Sequence, residues 1–253
     1  MPEGPPPPPT VQRVRLRYAK RGRLRFTSHR DFARAFERAL RRAEVPMAYS
    51  AGFSPHPKVS YVNATPTGVA SEAEYLEIGL DRVVDPERLR LALDAALPPG
   101  LDITEAVVAG SGSLPDRIDA SEWLIELPQV PQPQLDEAMA NFLAATEILV
   151  ERLTKKGKRT LDARAAVVSV ELGAGASAAV CDDICAIMRI VVRHVTPAVR
   201  PDDVLTGLRS VSALTLPVPP RATRLVQGAL TEGGRIVDPL AADRDGAVNG
   251  APT

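Results

Sequence analysis

Residues 11–18 alternate strictly. Val11, Arg13, Arg15 and Arg17 fall on one side of an extended chain, and Gln12, Val14, Leu16 and Tyr18 on the other. The pattern predicts a strand with one apolar and one basic face, followed by a turn at Lys20-Arg21-Gly22-Arg23. The period then changes to that of a helix. Ser28-His29-Arg30-Asp31 has capping-box form, with Ser28 as N-cap and Asp31 three residues on. From there to about Ala43, Phe32, Phe36, Ala39, Leu40 and Ala43 share one face, while Arg30, Arg34, Arg38, Arg41 and Arg42 span roughly 120° of the opposite face. Pro46 ends the helix. A Pro-rich loop over 52–58 leads to strands over 59–63 and 74–80. A helix over 86–97 opens on Pro86 and closes before Pro98-Pro99-Gly100, and a strand covers 103–108. This order is β-α-β-β-α-β, the ferredoxin-like unit.

The second half repeats the order without repeating the letters. Strands are predicted over 123–127 and 148–153, with a helix over 134–145 between them. The basic stretch Lys155-Lys156-Gly157-Lys158-Arg159 reads as a turn. Strands over 166–172 and 186–195, a helix from Pro201 to about Ser210 and a closing strand over 223–227 complete it. The expected fold class is α+β: two degenerate ferredoxin-like units with antiparallel sheets. The expected domains are a disordered Pro-rich leader over 1–10, a basic module over 11–110, a second module over 119–230, and a Gly-, Asp- and Ala-rich disordered tail over 231–253.

Composition adds three things. Aromatic residues are only 4% of 253, so Ala, Val and Leu must build the core. Two cysteines make no disulfide framework, which fits a reducing cytoplasm. No apolar run is long enough for a membrane span, and the N-terminus has no signal-peptide form. Charge adds the most. The formal net charge is zero, yet residues 11–60 hold thirteen Lys and Arg against three acidic residues, a local charge of +10. Such asymmetry points to one anion-attracting face.

The motif cluster resembles a known family. Arg25-Phe26-Thr27-Ser28-His29-Arg30-Asp31, then Arg34, Arg38-Ala39, Arg41-Arg42-Ala43, Pro46, Tyr49-Ser50 and Gly52-Phe53-Ser54-Pro55-His56-Pro57-Lys58, resemble the radical-SAM-associated domain family of unknown function. The likeness is dense over residues 11–80 and implies the free-standing form of a domain that is elsewhere C-terminal in radical SAM proteins. It also implies a radical SAM protein, or a ribonuclease of the E/G type, as partner. Asp162 and Arg164 fit the family's Asp-x-Arg-Pro element, with Ala165 in place of proline.

No cofactor or metal is expected. Cys181 and Cys185 have the first gap of an iron–sulfur motif, but Met188 stands where a third cysteine is needed. His194 lies alone in an apolar strand and reads as structural. The arginine face of the first helix suits phosphate, since the guanidinium forks onto its oxygens. With Arg25, Ser28, His29, Ser54, His56 and Lys58 it forms the expected anion- or RNA-binding set. His29 at a helix N-terminus and His56 between two prolines could also serve metal-independent RNA cleavage, one histidine as base and the other as acid, with Lys58 or Arg25 on the developing charge. Binding without catalysis is the favoured expectation, with that enzyme and a nucleic-acid-free protein adaptor as alternatives.

Overall fold

The structure, a computed structural model, describes residues 9–154, 157–173 and 184–249. The chain is a mixed α+β protein with largely antiparallel strand pairing. It divides into two compact units, one running to Arg117 and resuming at Asp238, the other Ile118–Val237.

The first unit holds β1 (Gln12–Lys20), α1 (His29–Arg42), β2 (Val59–Val62), β3 (Ala70–Leu80), α2 (Pro86–Ala96) and β4 (Leu101–Val108). β1 pairs with β4 on one edge and β3 on the other, and β3 pairs in turn with β2. The alternation in β1 decides which face meets the helices. Val14, Leu16 and Tyr18 are buried with Phe32, Phe36, Ala39 and Leu40 of α1 and Leu89 and Leu93 of α2. Aromatic stacking fixes the register of α1 on the sheet: the Tyr18 and Phe32 rings lie 4.2 Å apart and almost parallel. Between β1 and α1 the chain makes a 3-10 turn over Gly22–Phe26, with Gly22 at φ +52°.

The second unit holds β5 (Ala120–Pro128), α3 (Gln132–Ala144), a hairpin of β6 (Leu149–Thr154) and β7 (Gly157–Asp162), the short α4 (Ala163–Ala166), β8 (Val167–Leu172), β9 (Cys185–Arg193), α5 (Pro201–Ser210), β10 (Arg221–Leu230) and β11 (Ile236–Val237). Its sheet runs β10-β5-β9-β8, with β11 on β10. α3 and α5 supply Leu135, Met139, Phe142, Val204 and Leu208 to the core.

Two expectations change. Residues 157–162 are a strand, where the basic run suggested a turn; Lys155 and Lys156 lie outside the described residues. Six residues on each side pair from Leu149↔Asp162 to Thr154↔Gly157, so backbone pairing overrides a run of exposed cations. The tail beyond 230, expected to lack structure, carries β11 and α6 (Ala241–Asn249), and α6 belongs to the first unit. Its composition is poor in apolar residues, but Leu240 is fully buried and Asp243 is anchored by buried ion pairs described below. The leader expectation falls on residues mostly outside the described range; Pro9 and Thr10 are described, and Thr10 meets Lys58. No helix among the described residues is long and apolar enough to cross a membrane.

Candidate functional site

The local +10 of residues 11–60 does not stay together. On the strand side it is neutralised by acids from distant positions. Glu77, directly opposite Arg15 in the ladder, receives Arg15 Nε at 2.9 Å and Arg13 Nη1 at 3.3 Å. Arg15 is completely buried and gives Nη1 to both carboxylate oxygens of Asp243, at 2.9 and 2.8 Å. Burial alone would lower the Arg15 pKa. The hydrogen bonds it donates to Asp243 and Glu77 outweigh it and raise the pKa overall. Arg21 is held by Glu72 and Asp102, and Arg17 donates to the Glu72 carbonyl at 2.8 Å. The basic strand face inferred from alternation is therefore matched by carboxylates, because β3 supplies Glu72 and Glu77, β4 Asp102 and α6 Asp243.

The helix side keeps its charge. Arg30, Arg34, Arg38 and Arg41 are all exposed. Arg34 meets Asp31 at 3.9 Å, with both side chains more than half exposed, an ion pair of little strength. Arg30, Arg38 and Arg41 have no ion pair or hydrogen bond among the described residues. Arg42 differs: it is tied to the Ala96 carbonyl of α2 at 3.0 Å. Spaced at i, i+4, i+8 and i+11, the four exposed arginines form one stripe roughly 16 Å long.

Ser28 caps α1 as expected. Its Oγ accepts from Asp31 N at 3.2 Å and donates to the Asp31 carboxylate at 2.7 Å. Asp31 thus reaches back to the hydroxyl. His29 is exposed at the first turn and sets its ring edge-on to Tyr61, 4.8 Å between centroids. Burial, and then the charge of Glu37, push the Tyr61 hydroxyl pKa upward, so it stays neutral. Arg25 lies in the 3-10 turn with its guanidinium 4.6 Å from the centre of the Phe26 ring.

His56 has other company. Its Nδ1 and the Ser50 hydroxyl are 2.9 Å apart, its N–H donates to Ser50 Oγ at 3.1 Å, and its carbonyl receives Ser50 N at 2.9 Å. These bonds, with the Tyr49–Pro57 bridge, close the loop at its base and leave Ala51 to Pro55, including Ser54, exposed. Lys58 gives Nζ to Thr10 Oγ1 at 2.9 Å. His56 and Lys58 line a cleft of about 330 Å³ with Thr10, Arg13, Ser60 and Glu77. His29 does not line it. The two imidazoles expected in one pocket have separate partners: Tyr61 for one, Ser50 for the other.

Residues elsewhere are accounted for structurally. His194 Nε2 is 2.8 Å from the hydroxyl of the buried Ser121. One oxygen of Asp162 accepts from the N–H groups of Ile148, Arg164 and Ala165, tying the β6–β7 hairpin to α4. Arg164 donates to the Val167 carbonyl. Cys181 lies outside the described residues. Among the described residues no group of three or more His, Cys, Asp or Glu is placed to hold a metal ion. What sequence reasoning missed is the exposure of three rings, Phe26, Tyr49 and Phe53.

No curated protein matches the chain. A solved structure titled "Crystal Structure of a Cbf5-Nop10-Gar1 Complex" contains a chain similar at 11% identity and a TM-score of 0.44. The match covers 90% of this chain and 54% of that one, so the chain spans about half its length. A family model described as "Uncharacterized protein conserved in bacteria (DUF2344)" matches residues 13–201, most of the sequence, and the chain belongs to that family.

Proposed function

We propose that the protein is an accessory factor that holds RNA on the α1 face of its first unit, acting with a radical SAM protein or a ribonuclease of the E/G type. The observation that carries this reading is the division of charge. Strand-side cations are matched by Glu72, Glu77, Asp102 and Asp243, whereas the stripe Arg30, Arg34, Arg38 and Arg41 has only the loose Asp31 contact. A solvated helix face would need no such run of unmatched arginine, and arginine suits phosphate better than lysine does. The resemblance of the motif cluster supports the partner class. We also read each unit as a degenerate ferredoxin-like module. Supporting this, each sheet places its first and third strands centrally, once the β6–β7 hairpin and α4 are treated as an insertion before β8.

Filter binding of a single-stranded RNA across salt concentrations tests the function. Four phosphate contacts give a slope of about −2.8 in log K against log salt, or ~50-fold weakening between 50 and 200 mM. Changing Arg30, Arg34, Arg38 and Arg41 together to Gln should remove most of that slope. Absence of binding at low salt, or an unchanged slope in the variant, sinks the proposal. The catalytic reading has no geometric observation to set beside this one, because His29 and His56 have different partners.

A further inference from the structure

The chain has ten aromatic residues, five Phe, four Tyr and one Trp. Tyr18, Phe32, Phe36, Tyr75, Trp123 and Phe142 are buried, and Tyr61 is partly so. The remaining three are Phe26 at 58% exposed, Tyr49 at 40% and Phe53 at 105%. In a protein this poor in aromatics, all three exposed rings lie in the two segments flanking α1. Phe26 precedes the Ser28 cap by two residues. Tyr49 and Phe53 sit in the loop that follows the helix. That loop is closed at its base by the Ser50–His56 hydrogen bonds and stiffened by Pro55 and Pro57. It presents Phe53 with nothing covering the ring. The stretch from Arg25 to Lys58 carries seven Arg and Lys against Asp31, Glu37 and Glu44, and Arg25 lies over Phe26.

We infer that Phe53, with Tyr49 and Phe26, stacks on unpaired bases of a single-stranded RNA whose phosphates the α1 arginines hold. This rests on the reading of the α1 face as an RNA surface, and it names the kind of RNA. Aromatic rings interleaved with cations are the surface that splayed bases stack on, whereas duplex RNA is met through its backbone and 2′-hydroxyls. The positive flanks favour a polyanion over an apolar protein partner.

The test is fluorescence anisotropy of the full chain with two labelled strands of equal length, oligoadenylate and its abasic counterpart. Wild type should prefer the base-bearing strand. Phe53→Ala should weaken that strand's binding roughly 5- to 150-fold, the equivalent of ~1–3 kcal/mol per stacked base. It should leave the abasic strand unchanged, and Phe53→Trp should restore the preference. Phe53 makes no core contact, so these variants fold. Equal binding of both strands by wild type, with Phe53→Ala silent, overturns stacking and leaves the arginine surface standing. Binding of neither strand overturns the RNA reading itself.

Discussion

Replacing Asp243 by Ala removes a carboxylate that is 1% exposed and receives four hydrogen bonds. Two come from Arg15 Nη1, one from Arg117 Nη1 at 2.9 Å and one from Gly110 N at 2.9 Å. Arg15, itself completely buried, would keep Glu77 and the Gly112 carbonyl as partners but lose its main counter-charge. Breaking a buried pair on one side costs about 3–5 kcal/mol. The surviving Glu77 contact places the expected loss at the lower end, ~3 kcal/mol. With a urea slope of roughly 1–3 kcal/mol per molar, the midpoint of the first unit should fall by ~1–3 M. The chain offers a clean readout: all four tyrosines lie in the first unit and the single tryptophan, Trp123, in the second. Tyrosine fluorescence therefore follows the transition of interest. The pair Arg15→Met with Asp243→Leu should recover part of the loss, since apolar residues of similar volume often replace a buried ion pair without penalty, while Arg117 and the Gly110 N–H still lose their carboxylate. A shift under the equivalent of ~1 kcal/mol for Asp243→Ala, or a double variant no better than the single, would refute the reasoning.

Three further outcomes are expected. Ser28→Ala removes the α1 cap and should cost about 1 kcal/mol in the tyrosine-reported transition, with Ser28→Thr, which keeps the hydroxyl that accepts from Asp31 N and donates to its carboxylate, retaining most of the stability; equal losses in both would count against the cap as the cause. Gly207→Ala raises helix propensity, but the new Cβ would lie 3.0 Å from Phe142 Cε2 and 3.1 Å from Ile148 Cγ2. Overpacking should win by about 1–3 kcal/mol in the Trp123-reported transition, and a gain in stability would show that α3 and α5 separate easily. Burial first, and the nearby Arg224 charge second, lower the His194 pKa in the folded chain. The unfolded chain then binds more protons, so this contribution is complete above about pH 6.5 and is lost as pH falls toward the lower folded value. His194→Gln should flatten the dependence of the Trp123 transition between pH 7.5 and 5.5; an identical dependence in both proteins counts against it.

Element order was legible because periodicity carries it. The alternation of β1 and the 3.6-residue spacing of Phe32, Phe36, Ala39 and Leu40 place the first core, and prolines at 86 and 201 mark two helix starts. Charge was harder to read. Alternation places Arg13, Arg15 and Arg17 on one face, but only three-dimensional pairing reveals that Glu77 and Asp243 meet them there. Arg15 and Asp243 are 228 positions apart, beyond any local pattern. The same limit hid α6, whose anchoring lies in long-range ion pairs and one leucine. It also left His29 and His56 together in sequence reasoning, since both belong to one motif run while Tyr61 and Ser50 hold them apart in partnership. The exposed rings were unreadable for a related reason: an apolar letter in a loop does not say whether anything covers it.

The return of α6 to the first unit has a consequence in time. Residues Ile118–Val237 make a compact unit of their own, inserted between Arg15 and its partner. At roughly 5–20 residues per second of synthesis, Asp243 follows Arg15 out of the ribosome by ~10–45 s. For that interval β1 and β3 can form only with a buried guanidinium short of its main counter-charge. The second unit can close first, and the first unit becomes fully stable only once a segment more than two hundred residues downstream has emerged. The order of assembly thus runs against the order of the sequence.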